Sequence, residues 1–354
     1  MRPLAITTQN LILCLILCFF VTSPPSLAQS RSLTPNSQAL FDFHSDFWIN
    51  LHHFLYLQAL PEKSQKGPHP TPMSRADSET LNSLSNAEQT TWGRAVSYYA
   101  ESMVQHDLLF DENTGKLKNQ LEDAANSSDL ANTQIPPELK AVLLQAAPIY
   151  RKYWWPQHDA QNRKWIAQLQ PLVAQHGENL KNSLVRIYEV PWPGHPVRVD
   201  ATIYAGQFGA YTTTEPTRPT ISTTDPANQG TAALEIVFHE TSHGMMDKVM
   251  DAMSQAEESA HAHGENQAFH AGTLWHAVLF YTAGELVAEQ IPGYIPYADK
   301  NGLWVRAWPD PVRSAIERDW KPKISGSAGL QPSLTKLVED LAAAQRQENT
   351  NQSR

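Results

Sequence analysis

Much of the chain repeats apolar residues every three or four positions, which is the period of an amphipathic helix. In the segment FDFHSDFWINLHHFLYLQAL, the apolar residues at this spacing are Phe43, Phe47, Trp48, Leu51, Phe54 and Leu55. We therefore predict a buried helix there. Further helices are predicted over residues 86–110 after an N-cap at Ser85, over residues 136–155, and over residues 160–177.

The pattern changes at Val190. Apolar residues at 197, 199, 201 and 203 alternate with polar ones, which predicts a strand with one buried face. AYTTTE and PTISTTD are two more short strand segments, and DPANQGT then turns the chain into a helix. Later segments are helical to about Gln290 and again from Ser333 to about Arg346. The predicted fold is α+β: mostly helical, with a small sheet preceding a central helix and a second helix packed against it.

Residues 1–28 differ from the rest of the chain. Arg2 is followed by the apolar stretch LILCLILCFFVTS, and Ser26 and Ala28 are small residues where a signal peptidase needs them. We interpret residues 1–28 as a signal peptide cleaved near Ala28, so that the mature protein is exported and is periplasmic or secreted. An uncleaved N-terminal anchor is the alternative. No stable membrane span is expected after cleavage.

The same reading divides the mature chain into three regions. Residues 29–189 form an N-terminal helical region, residues 190–325 a region in which strands precede helices, and residues 326–354 a C-terminal helix with a polar tail.

The composition limits the partners and the metal ligands that the protein can have. The chain of 354 residues is 41% hydrophobic and 18% charged, as in ordinary globular proteins, and its formal charge is −9. This negative charge argues against nucleic acid and anionic membrane surfaces as partners. Both cysteines, Cys14 and Cys18, lie in the predicted signal peptide. Any metal bound by the mature chain must therefore use His, Asp or Glu.

One helical segment, ALEIVFHETSHGMMDKVM, carries a compact group of polar residues. His239 and His243 are four apart, so a helix places both imidazoles on one face, where they can bind one metal ion. Glu240 lies about 100° around the helix from His239, where its carboxylate can reach a water on that metal. Zinc lowers the pKa of such a water, and a nearby carboxylate can take its proton as the water attacks a carbonyl.

HETSH resembles the zinc-binding HExxH motif of the zincin metallopeptidases, and the order of strands followed by a helix is similar too. The metzincin extension of that motif is missing, because its positions hold Met246 and Val249. The gluzincin subgroup takes its third ligand from a glutamate on the next helix. That resemblance implies Glu285 in GTLWHAVLFYTAGELVAEQ as the third ligand. His276 is a competitor, about 180° around the same helix, and another residue remains a third option.

The resemblance also implies that residues 190–325 are a zincin-like metal-binding catalytic region, and it implies roles for residues around the metal. Glu240 is expected to act as the general base. Tyr281, one turn before Glu285, could donate a hydrogen bond to an oxyanion, although a buried aromatic residue with a packing role explains it as well. In zincins the substrate lies antiparallel to an edge strand, which AYTTTE or TISTT could supply.

The expected function is that of an exported zinc-dependent metallopeptidase with a peptide or protein substrate. A metal-binding or scaffold protein without turnover is the alternative, and a helical partner-binding module with a coincidental motif is a third. A carboxylate beside the metal water serves catalysis and has no use in a binding protein, so Glu240 favours the enzyme.

Overall fold

A computed structural model of the protein describes residues 39–60, 73–109, 111–262, 271–308 and 310–352. They fall within one compact unit, Gln38–Arg354. The predicted signal peptide and its cleavage site lie outside the described residues. Among the described residues, no helix combines the length and the apolar character that crossing a membrane requires.

Helices dominate the first half of the described chain. They are α1 (Phe47–Ala59), α2 (Arg75–Ser83), α3 (Asn86–Ser102), α4 (Glu112–Ala124), α5 (Pro137–Tyr153) and α6 (Trp155–Tyr188). The predicted N-cap of α3 is confirmed: Ser85 Oγ accepts from the Glu88 N–H at 3.4 Å, and the Glu88 carboxylate accepts from the Ser85 N–H at 3.0 Å. The predicted end of α3 at residue 110 is wrong, since the helix stops at Ser102.

A four-stranded sheet packs against helices of both halves of the described chain. Its strands are β1 (Phe41–His44), β2 (Val197–Thr202), β3 (Ala210–Thr214) and β4 (Thr217–Ser222), in the spatial order β1-β2-β4-β3. β1 and β4 pair with β2 in parallel, and β3 pairs antiparallel with β4. Strand β3 thus forms one edge of this described sheet. The predicted α+β class, with a small sheet ahead of a central helix, is confirmed.

Strand β1 corrects the sequence analysis, which placed Phe43 at the start of a long helix. Residues 41–44 instead pair with residues 197–200 of β2, and α1 begins only at Phe47, after an N-cap at Asp46. Four residues are too few for a helical period to be told from an extended one. The pairing with a strand more than 150 positions away decides the conformation.

The second half of the described chain is again helical. Its helices are α7 (Thr231–Ser242), α8 (Asp247–Ala262), α9 (Leu274–Gln290), α10 (Tyr297–Lys300), α11 (Leu303–Arg306), α12 (Val312–Ala315), α13 (Lys321–Ile324) and α14 (Leu330–Gln352). A π-helical segment, Ile316–Trp320, joins α12 to α13. The predicted C-terminal helix exists and is longer at both ends than predicted.

Two clusters of buried apolar residues pack these helices and the sheet together. One lies around Trp92 and Tyr150 among helices of the N-terminal half. The other joins the sheet to α6, α7 and α9, and Val199, Ile221 and Phe238 belong to it. Helix α6, predicted as part of the N-terminal region, packs in this second cluster, which encloses the helix that carries HETSH.

Candidate metal centre

Helix α7 carries the first four residues of HETSH through the interior of the molecule, and His243 begins the 3-10 turn that follows, His243–Met245. Every residue from Ala232 to Ser242 is buried, because β3, β4, α6 and α9 surround the helix. Two of its polar side chains satisfy themselves locally: the Thr241 and Ser242 hydroxyls donate to main-chain carbonyls one turn earlier, at 2.7 and 2.8 Å. The histidines and Glu240 do not fold back in this way.

Helix α9 runs antiparallel to α7. Three contacts, spaced one helical turn apart, define how the two helices align. A Cβ at Gly284 would lie 3.3 Å from the Glu235 carboxylate. One turn along α7, the Phe280 ring lies on the His239 ring with centroids 3.8 Å apart. At the third level, the His243 and His276 rings have centroids 5.1 Å apart. The first turn of α9 therefore lies beside the motif, while its last turns lie away from it.

This register assembles three histidines. His239, His243 and His276 each offer one ring nitrogen, and these atoms all lie within 4.8 Å of one another. The Nε2 atoms of His239 and His276 are 3.2 Å apart. Two nitrogens bound to zinc at about 2.05 Å in tetrahedral geometry lie about 3.3 Å apart. The group could therefore hold a metal ion.

Burial keeps these imidazoles neutral, which is the form that binds metals. It lowers the pKa of His243 to about 3 and that of His276 to about 4. For His239, burial and then the two neighbouring histidines hold the pKa well below its ordinary value. At neutral pH each ring has a nitrogen lone pair available for a cation.

Glu285, predicted as the third ligand, lies outside this group. Its carboxylate pairs with Lys321 instead, with Oε2 2.8 Å from Nζ. Nine residues of helix separate it from His276, which amounts to about 14 Å along the axis and a half turn around it. Because α9 is antiparallel to α7, its C-terminal end lies on the level of Glu235. His276, the competitor, is the third member of the group that could hold a metal ion.

Tyr281, predicted as an oxyanion donor, is also outside the histidine group. Its ring packs edge-on against Trp304, with centroids 6.2 Å apart. Its hydroxyl oxygen is buried and has no hydrogen-bond partner among the described residues. Burial, and then the charge of Glu285, raises the pKa of Tyr281 above its ordinary value. These surroundings favour the packing interpretation over the predicted oxyanion donor.

Glu240 lies beside the histidines. Its Oε2 is 3.9 Å from His243 Nε2 and accepts a hydrogen bond from the Thr212 hydroxyl at 2.7 Å. Burial raises the pKa of Glu240 to about 7, and the Thr212 hydrogen bond opposes that rise. A carboxyl group in this range can take up and release a proton near neutral pH.

Aromatic rings enclose the histidines on several sides. Phe280 covers His239, Trp275 stacks on His276 with centroids 5.0 Å apart at 23°, and Trp308 meets His276 edge-on at 5.6 Å. These rings fix the imidazole orientations and limit access of water. Neither Trp275 nor Phe280 was predicted to line the site, although both lie within four residues of His276.

Gly244, directly after His243, allows strand β4 to reach the motif. A Cβ at this position would lie 2.0 Å from the Thr217 hydroxyl oxygen and 3.0 Å from its Cβ. The first residue of β4 therefore packs directly against the turn that follows the second histidine. Strand β3 is adjacent, because Thr212 reaches Glu240.

No family model, curated protein or solved structure matches this chain. The resemblance to zincins therefore rests on the sequence alone.

Proposed function

We propose that this protein is an exported zinc-dependent hydrolase that cleaves peptide bonds. One observation carries the proposal: three neutral histidines, one buried and two half-buried, converge within 4.8 Å, and the Glu240 carboxylate lies 3.9 Å from one of them. The histidines supply the ligands, and a carboxylate with a pKa near neutrality supplies a proton acceptor.

The donor set fits a zinc ion. Three imidazoles are a common protein ligand set for zinc, and the spacing of the His239 and His276 nitrogens suits a tetrahedral ion. When bound, zinc supplies an acidified water and polarises the carbonyl that is attacked.

The protein residues then have separate roles. The histidines orient the ion, and the aromatic rings around them exclude bulk water. Glu240 accepts the proton of the attacking water at its carboxylate and passes it to the leaving amine nitrogen.

The sheet supports a peptide as the substrate. Strand β3 lies at an edge of the sheet and touches Glu240 through Thr212. An extended peptide can add to such an edge by main-chain hydrogen bonds, with little dependence on its side chains. Of the two segments considered, AYTTTE forms this edge strand, whereas β4, which contains TIS, lies inside the sheet.

The test begins with the metal content of the purified mature protein, residues 29–354. About one zinc per chain is expected, and a peptide library should be cleaved by the parent but not by Glu240→Gln. Zinc without cleavage would favour the metal-binding alternative. A parent that takes up no zinc, even from excess metal, would refute the proposal.

A further inference from the structure

Thr212 connects the edge strand to the proposed base. Its hydroxyl oxygen lies 2.7 Å from Glu240 Oε2 and 3.0 Å from the Glu240 carbonyl oxygen, so it can donate to either. Residue 212 is the centre of the five-residue strand β3. The contact therefore fixes both the carboxylate and the last turn of α7 relative to the strand.

The main-chain N–H and C=O groups of Thr212 point away from strand β4. In the β3–β4 register Thr212 is opposite Pro219, and the Ser222 N–H donates to the Gly209 carbonyl at 2.8 Å. Hydrogen-bonded pairs alternate with non-hydrogen-bonded pairs along an antiparallel ladder. Residues 209, 211 and 213 thus bond to β4, and the N–H and C=O groups of Ala210 and Thr212 point to the other side. Within the described sheet, that side is the open edge.

We propose that Thr212 is a positioning residue that aligns the Glu240 carboxylate with a peptide bound along β3. Its main-chain groups face the position of the incoming peptide, and its hydroxyl holds the general base. One residue thereby fixes the distance between the substrate main chain and the proton acceptor. This inference rests on the proposed function and deepens it, because it requires an extended peptide rather than a small non-peptide ester.

The neighbouring threonines on β3 provide a comparison. The Thr213 side chain points to the other face, where it donates to Asn119 at 2.9 Å and accepts from the buried Lys118 at 3.2 Å. Thr214 is exposed at the end of the strand. Thr214→Val therefore removes a hydroxyl from the same strand without touching Glu240, and it serves as the matched control.

The experiment measures kcat, KM and zinc content for the parent, Thr212→Val, Thr212→Ser and Thr214→Val on an extended peptide substrate. Misplacement of a reacting group by about 1 Å can cost about a hundredfold in rate. We expect Thr212→Val to lower kcat by about tenfold to a hundredfold, with KM and zinc content close to those of the parent. Thr212→Ser should recover most of the loss, and Thr214→Val should behave as the parent.

Parent-like kcat in Thr212→Val would overturn the inference. So would a serine variant no better than the valine variant, since the hydroxyl is the proposed cause.

A second measurement separates this inference from the proposed function. Urea midpoints are compared for the parent, Thr212→Val, Glu240→Ala and the double variant. Non-additive shifts support the link between the two side chains, and additive shifts overturn it, whatever the activity. If the parent cleaves no peptide while the shifts are non-additive, the proposed function fails and the link stands.

Discussion

His239 and His276 face each other across two antiparallel helices, with their Nε2 atoms 3.2 Å apart. They are 37 positions apart in the chain, and the direction of α9 relative to α7 brings them together. The same helix direction places Glu285 away from the two histidines, where its carboxylate pairs with Lys321. Which side chains of α9 come near His239 and His243 thus depends on helix direction as much as on residue type.

The first prediction concerns the third ligand. His276→Ala should lose zinc affinity by a factor of ten or more, because only two ligands would remain. Glu285→Ala should bind zinc as the parent does, because its carboxylate pairs with Lys321. Competition with a chelator measures both. Loss of zinc in Glu285→Ala with retention in His276→Ala would reverse the assignment.

The second prediction concerns the general base. Glu240→Gln should lower kcat by about a hundredfold to ten-thousandfold, because the amide cannot accept the proton. Zinc content should not change, since Glu240 is outside the histidine group. Kinetics on a cleaved library peptide test this, and an equally active glutamine variant would require another base.

The third prediction concerns stability and pH. Glu235 is fully buried, and burial raises its pKa from 4.5 to about 7, while Tyr294 and the Tyr297 N–H donate to it and oppose the rise. An acid whose pKa is higher in the folded state stabilises that state when protonated. Its contribution is therefore complete below pH 4.5 and is lost as the pH rises through about 7.

The shift corresponds to about 3 kcal/mol at most, at 1.36 kcal/mol per pKa unit. Urea unfolding of the parent and of Glu235→Gln between pH 4.5 and 8 measures it. The glutamine variant should lose the part of the pH dependence that belongs to Glu235. Identical pH profiles would show that Glu235 does not titrate in this range.

The fourth prediction concerns the turn after His243. Gly244→Ala would place a Cβ 2.0 Å from the Thr217 hydroxyl oxygen, so β4 or the turn must move. We expect a loss of about 1–3 kcal/mol in the free energy of unfolding, together with weaker zinc binding.

Gly93→Ala is the control for that variant. A Cβ at Gly93, within α3, meets nothing within 4 Å, and alanine should stabilise the helix by about 0.5–1 kcal/mol. Equal effects of the two substitutions would contradict the steric argument.

Local patterns predicted part of this centre. The four-residue spacing of His239 and His243 and the position of Glu240 follow from helix geometry alone. The third member of the histidine group did not follow, because spacing along α9 leaves open which end of the helix meets the motif. The resemblance that implied Glu285 did not account for Lys321, 36 positions later, whose ammonium pairs with the Glu285 carboxylate.

The fold, too, was predicted where the signal is local and missed where it depends on contacts between distant residues. The strands after residue 190 and the N-cap at Ser85 are local signals, and both were predicted. Strand β1 was missed because its conformation depends on a partner far along the chain. The threonine pattern of AYTTTE indicated a strand, but its place at the sheet edge and its contact with Glu240 depend on tertiary packing.

The parallel pairing of β1 with β2 has a consequence for folding. Residues 41–44 and 197–200 can meet only after the chain between them has closed into one very long loop. Such distant contacts form late, because the entropy of loop closure opposes them until other contacts exist. We therefore expect the helices to form early and the sheet to be completed late. A fragment beginning at residue 190 would lack this strand and leave β2 with an unpaired edge, inviting association with other chains.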